Sequence, residues 1–138
     1  MKRGIAAILL LTASIAHAKP APPWPQLGVE ASILFPNHGA IRNFEADGDD
    51  GVWIEDQQHR WYYGKFLGPC QGIAYAMGIG FDTRGSSRFD RHSLVLVDGD
   101  ACIFEKFVTA EKPLPRKERE KLRKAREAAE KAQQKAPN

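Results

Sequence analysis

The sequence predicts a mainly β fold, α+β if its tail is counted: a small antiparallel sheet, sandwich or barrel of five to six strands, plus a C-terminal charged helix. Three observations predict it. Short runs rich in Val, Ile, Phe, Trp and Tyr recur between residues 40 and 109, separated by turn-forming clusters such as Asp47-Gly48-Asp49-Asp50-Gly51 and Asp98-Gly99. Two cysteines, Cys70 just after one of those runs and Cys102 within another, are an even count that a disulfide would use to clip the domain. Beyond Pro113 and Pro115 the composition turns to Ala, Glu, Lys, Arg and Gln, all strong helix formers. The chain has 138 residues, is 43% hydrophobic and contains three Trp, three Tyr and seven Phe, enough for one modest core.

The elements follow in order. Lys2 and Arg3 precede an apolar stretch running to Ile15, and Ala16-His17-Ala18 supplies small residues at −3 and −1. Residues 1–18 therefore read as a signal peptide cleaved between Ala18 and Lys19, the alternative being an anchor left uncleaved. The stretch is short for a membrane span, nothing later approaches that length, and no cysteine follows the cleavage site to take a lipid. The expected location is periplasmic or secreted. Residues 19–35 read as a Pro-rich leader, since four prolines between Lys19 and Gly28 exclude helix and central strand.

A β domain is expected over residues 36–111. Ala40 to Asp47 is a candidate strand of poor alternation, and the Asp47–Gly51 cluster is its hairpin loop. Val52 to Gln57 follows, with Val52 and Ile54 on one face and Trp53 on the other. Trp61 to Leu67 carries apolar residues on both faces, the mark of a central strand. Gln71 to Met77 has no decisive period and is given one or two helical turns; Ile79 to Thr83 is extended. Arg88 to Val97 and Ala101 to Thr109 form a hairpin around Asp98-Gly99, with Cys102, Phe104 and Val108 on one face of the return strand. Residues 112–138 form the charged tail, helical from Arg116 to about Lys135. Leu122, Ala125, Ala129, Ala132 and Ala136 make a seam too short and too small for a coiled coil, so a mobile or loosely docked helix is expected.

Thirty-one residues separate Cys70 from Cys102, which excludes a CxxC redox or zinc pair and favours a disulfide in an oxidising compartment. The competing reading is a nucleophilic thiol served by His38, His59 or His92, which the compartment disfavours. The three histidines have none of the short spacings that pre-position metal ligands, and surface or structural roles are favoured for them. The Asp47–Asp50 loop lacks the ligands that an EF-hand requires at positions 5 and 12, so a plain turn is expected. Neither a cofactor nor a metal site is expected.

Two side-chain groups stand out as candidate sites. Strand alternation places Arg88, Asp90 and His92 on one face, the polar cluster from which a small hydrolase or ligand site would be built; a charge-balanced surface row is the plainer reading. Trp61, Tyr62 and Tyr63, with Trp53 and Tyr75, offer a candidate aromatic surface for stacking a ligand, weighed against a core role. The formal charge of +3 is unevenly divided: +2 in residues 1–18, −5 in residues 19–111 with 8 basic and 13 acidic side chains, and +6 in residues 112–138 with 10 basic and 4 acidic. An acidic body thus carries a basic tail. An exported chain meets little nucleic acid, so the expected partner is an anionic envelope component or an acidic protein reached through the tail.

The segment W-Y-x-G-K-F-L-G-P-C from Trp61 to Cys70, followed by A-x-x-I-G-F (Ala76 to Phe81), R-F-D (Arg88 to Asp90) and C-I-F (Cys102 to Phe104), resembles an uncharacterised family of small secreted bacterial proteins, a domain of unknown function. The resemblance spans residues 41 to 126. It implies a small β-rich domain with paired cysteines and brings no catalytic roles; the Pro-rich leader departs from the family's usual start. The sequence as a whole is therefore expected to encode an exported envelope protein, a non-enzymatic binding or structural module. The alternative is a small periplasmic hydrolase or ligand-binding protein centred on Arg88, Asp90 and His92.

Overall fold

Asp98 and Gly99 both adopt positive φ, 50° and 96°, the conformation of a two-residue hairpin turn whose twist matches that of its strands. In the computed structural model, which describes residues 26–135, this turn joins β7 (Leu94–Val97) to β8 (Asp100–Ala110). The remaining elements are β1 (Ile33–Leu34), β2 (Ile41–Asp47), β3 (Gly51–Asp56), β4 (Trp61–Phe66), β5 (Gly80–Asp82), β6 (Arg88–Phe89) and α1 (Arg116–Lys135), with short 3-10 turns at Pro36–His38 and Ile73–Tyr75. Six strands form one antiparallel sheet in the order β2-β3-β4-β8-β7-β5, curled into a half-barrel, and β1 pairs with β6 as a separate two-stranded ribbon. The fold is mainly β, as expected, and β4 is central between β3 and β8. The expected signal peptide and the prolines of the leader lie outside the described residues.

The concave face of the half-barrel is the core. Val52 and Ile54 of β3, Tyr62 and Phe66 of β4, Val95 and Val97 of β7 and Phe104 and Phe107 of β8 are all buried there, joined by Ile33, Ile73 and Phe89. Phe89 has no exposed surface; its ring meets Phe81, Phe104 and Phe107 edge-on at 4.9, 5.6 and 5.2 Å. Gly64 alternates onto the same face, and the Phe104 ring lies over it where any Cβ would overlap the ring. Cys70 and Cys102 form a disulfide, Cα–Cα 5.5 Å, that ties the loop after β4 to the start of β8.

Three expectations are corrected. The run Arg88 to Val97 is not one strand: Asp90 to Ser93 form a turn, with the Ser93 amide donating to Asp90 O at 3.0 Å, so β6 leaves the main sheet to pair with β1. In β8 it is Phe107 and Thr109, not Val108, that continue inward from Cys102 and Phe104. The cause is a bulge: Phe66 pairs with Phe104 but Lys65 with Lys106, so one extra residue inverts the alternation beyond it. Residues 26–35, assigned to the leader, are part of the packed domain. Gly28 and Ala31 donate to Thr109 O and Phe107 O, and Ile33 is buried in the core. The buried Thr109 hydroxyl fastens this segment, accepting from the Val29 amide and donating to Gln26 O at 2.6 Å.

Candidate functional site: a cationic helix on an acidic hairpin

The outer, convex face of the sheet carries a continuous cross-strand row. Register partners place Glu45 of β2 beside Trp53 of β3, Trp53 beside Tyr63 of β4, and Tyr63 beside Val108 of β8. The Trp53 and Tyr63 rings lie 4.8 Å apart. The Tyr63 hydroxyl donates to Asp47 Oδ2 at 2.9 Å, and its ring passes so close to Gly51 that a side chain there would collide with it. The β2–β3 hairpin is thereby fixed with Glu45, Asp47, Asp49 and Asp50 at one end of the convex face. Burial, then the neighbouring Asp47 carboxylate, push the Tyr63 phenol well above its ordinary pKa.

Onto this row comes the N-terminal half of α1, through one side chain above all. Arg119 donates from Nη1 to Glu45 Oε2 at 2.8 Å and from Nη2 to Ala46 O at 3.3 Å, while its guanidinium carbon sits 4.7 Å from the Trp53 ring centroid. Its side chain is only 13% exposed. An ion pair, a backbone hydrogen bond and a cation–π contact thus converge on one arginine, whose planar fork suits all three at once. Arg116, Arg119 and Arg123 then face Glu45, Asp47 and Asp50 across a groove of about 590 Å³ that Tyr75 and Pro69 also border. Along the helix, Arg116–Glu120 and Arg123–Glu127 form exposed i, i+4 pairs. The alanine seam judged too small for a coiled coil stays exposed, at Leu122 and at Ala125, Ala129 and Ala132.

Of the two groups singled out in the sequence, the aromatic one takes the core role weighed for it and the polar one loses its shared strand face. Arg88, Asp90 and His92 form no strand-face row. Asp90 turns its carboxylate onto the backbone, Oδ1 accepting from the His92 amide at 2.8 Å, while the Arg88 and His92 side chains are exposed and no ion pair joins the three. Trp61 and Tyr62 are buried rather than displayed, and Tyr63 is half-buried under the docked helix's row; Tyr75 alone of the aromatic group stands fully in solvent. Among the described residues no three of His, Cys, Asp and Glu gather into a metal-binding group. His59 instead lies within hydrogen-bond distance of Glu55 (2.8 Å) and Arg42 (3.2 Å).

Sequence reasoning missed two residues that organise the molecule. Asp56 closes β3 with its carboxylate buried, accepting from the Gln58 and Arg60 amides at 2.9 Å each, from Arg60 Nε at 2.6 Å and from the Tyr62 hydroxyl at 3.0 Å. Four donors satisfy this buried charge. Burial first, and then the Asp56 carboxylate, push Tyr62 up to about 12. The signal was an aspartate at a strand end followed by a polar turn and Arg60, a pattern common to many turns. Arg119 was missed because a single arginine in a charged helix carries no local mark. No family model, no curated protein and no solved structure matches this chain.

Proposed function

We propose that this is an exported cell-envelope protein whose β body is a scaffold and whose basic helix is a non-enzymatic binding element for an anionic envelope component. The observation that carries the reading is the mode of attachment of α1. Its first turns are clasped to the acidic hairpin by Arg119, while every residue from Lys121 to Lys135 is exposed. A clasped base and an exposed cationic arm are what a binding element needs: the body orients the arm and leaves its outward charge to act on a partner. The disulfide fits an oxidising compartment, and the basic, apolar and small-residue order of residues 1–18 fits export. The hydrolase alternative loses its support, since Arg88, Asp90 and His92 are not brought together around a cleft.

The test is co-sedimentation of the chain beginning at Lys19 with native envelope fragments, compared with the same chain ended at Glu111. The expected result is binding by the longer chain that weakens between about 20 and 200 mM salt as charges are screened, and none by the shorter. Equal binding by both chains would refute the reading.

A further inference from the structure

The positive charge of α1 is sorted by residue type around the helix. Arg116, Arg119, Arg123 and Arg126 follow one another at intervals of three, four and three, which places them along one side. That side meets the body: Arg116, Arg119 and Arg123 border the groove over the acidic hairpin, and Arg119, Arg123 and Arg126 border the groove beside Trp53 and Tyr63. Lys117, Lys121, Lys124, Lys131 and Lys135 follow a second stripe, at intervals of four, three, seven and four, with Ala128 at its one missing position. At 100° per residue the two stripes lie roughly 135° apart. All five lysines are exposed and none borders either groove. Of the four helix carboxylates, Glu120 and Glu127 each meet an arginine although both also stand three or four positions from stripe lysines, and among the described residues no ion pair joins a carboxylate to any of the five lysines.

We infer that the lysine stripe is an electrostatic docking surface for a planar array of anionic lipid headgroups, and that the arginine stripe serves only to hold the helix on the body with its lysines outward. This rests on the reading of α1 as a binding element and assigns the face and the partner. The chemistry divides as the two cations do. Arginine makes directed, planar contacts with carboxylates and rings, as Arg119 does; lysine is a strongly hydrated point charge suited to a surface it touches without inserting. The stripe is straight and about 27 Å long from Lys117 to Lys135. It has no groove or aromatic side chain to grip a single polymer strand; Ala128 lies within it and Ala132 and Ala125 flank it on one side, small side chains that permit close approach to a plane, while Glu120 and Glu127, each held by an arginine, border the other side. The only large apolar residue of the helix, Leu122, lies outside the stripe, so attraction without insertion is the mode it supports.

The experiment uses the chain beginning at Lys19, sedimented with phosphatidylcholine vesicles with and without phosphatidylglycerol at low salt. Binding is expected only to the anionic vesicles. Replacing one stripe lysine by Gln should lower the partition about 5-fold, and replacing all five should abolish it. Circular dichroism should show the helix retained, since Lys and Gln have similar helix propensity. Arg126→Gln, on the other stripe, should leave vesicle binding within twofold of wild type. Failure to bind anionic vesicles, with salt-dependent binding to envelope fragments intact, would overturn the lipid assignment alone. Equal losses from Arg126→Gln and a single lysine variant would overturn the division between faces. Absence of binding to both vesicles and envelope fragments would overturn this inference together with the reading beneath it.

Discussion

In the β body, Phe89 has no exposed surface and meets three other aromatic rings, and a disulfide closes the chain around it. In α1 no side chain is buried, and attachment depends on Arg119 meeting Glu45, Ala46 and Trp53. The first region is held by removal of apolar surface from water and by a covalent link, neither of which salt weakens. The second is held by charge at a partly wet interface, where each pair is worth little and ions compete for it. One chain therefore contains a body with a fixed shape and a limb whose attachment responds to its surroundings. The acidity of the body has a structural use in this arrangement, because Glu45 and the Asp47–Asp50 turn are what the limb rests on.

The body is most vulnerable at its aromatic centre. Phe89→Ala should destabilise the body by about 3–5 kcal/mol, because the vacated space lies among rings that cannot collapse into it. Denaturant titration followed by tryptophan fluorescence measures this, and a change below 1 kcal/mol would mean that the core is not centred there. Reducing Cys70–Cys102 should cost about 3.5–4 kcal/mol on the chain-entropy account of a loop this long. A denaturant midpoint indifferent to reductant would remove the covalent half of the contrast.

Alkali probes the border between the regions. Tyr62 is raised above its unfolded value to about 12 by burial and by Asp56, and Tyr63 is raised further by burial and Asp47. Both phenols must stay protonated in the folded state, so their contribution is whole below about pH 10 and is lost as pH rises from there through the folded values. Tyr62→Phe should flatten the decline in stability measured above pH 10; an unchanged slope would show that the phenol is not what the fold protects. The smallest effect is expected in the limb. Arg119→Ala should weaken docking by about 1 kcal/mol, altering Trp53 emission while leaving the unfolding midpoint of the body nearly unchanged. Wild type in high salt should approach the same emission. A large drop in body stability from this substitution would mean that the helix is part of the core after all.

Much of this was legible in the sequence. Asp98-Gly99 and the Asp47–Gly51 cluster announced their hairpins because positive φ is a local requirement that few residues meet. The 3-10 turn at Ile73–Tyr75 was foreseen only as a short helical piece, since three residues have no period to read. The candidate sites were less legible. Arg88, Asp90 and His92 lie on alternate positions, which would make a row in a continuous strand, but Asp90 and Ser93 satisfy one another and bend the chain. The apolar residues on both faces of Trp61 to Leu67 did signal a covered strand, and Trp61 and Tyr62 are both buried, but which residues cover them was not legible, because they are distant in sequence.

Neighbouring residues decide between them the turns, the strand-forming runs, the opposed charges of body and tail, and the helix from Arg116 to Lys135. Which way those elements face is set by contacts across the fold. The bulge at β4–β8 exchanges Val108 for Phe107 on the inner face, the segment 26–35 joins the domain through partners some eighty residues away, and Arg119 finds Glu45 across 74 positions. The physical reason is common to all three. Turn geometry and helix propensity are free energies of adjacent residues, whereas facing is set by cross-chain contacts whose worth depends on every other element already being in place.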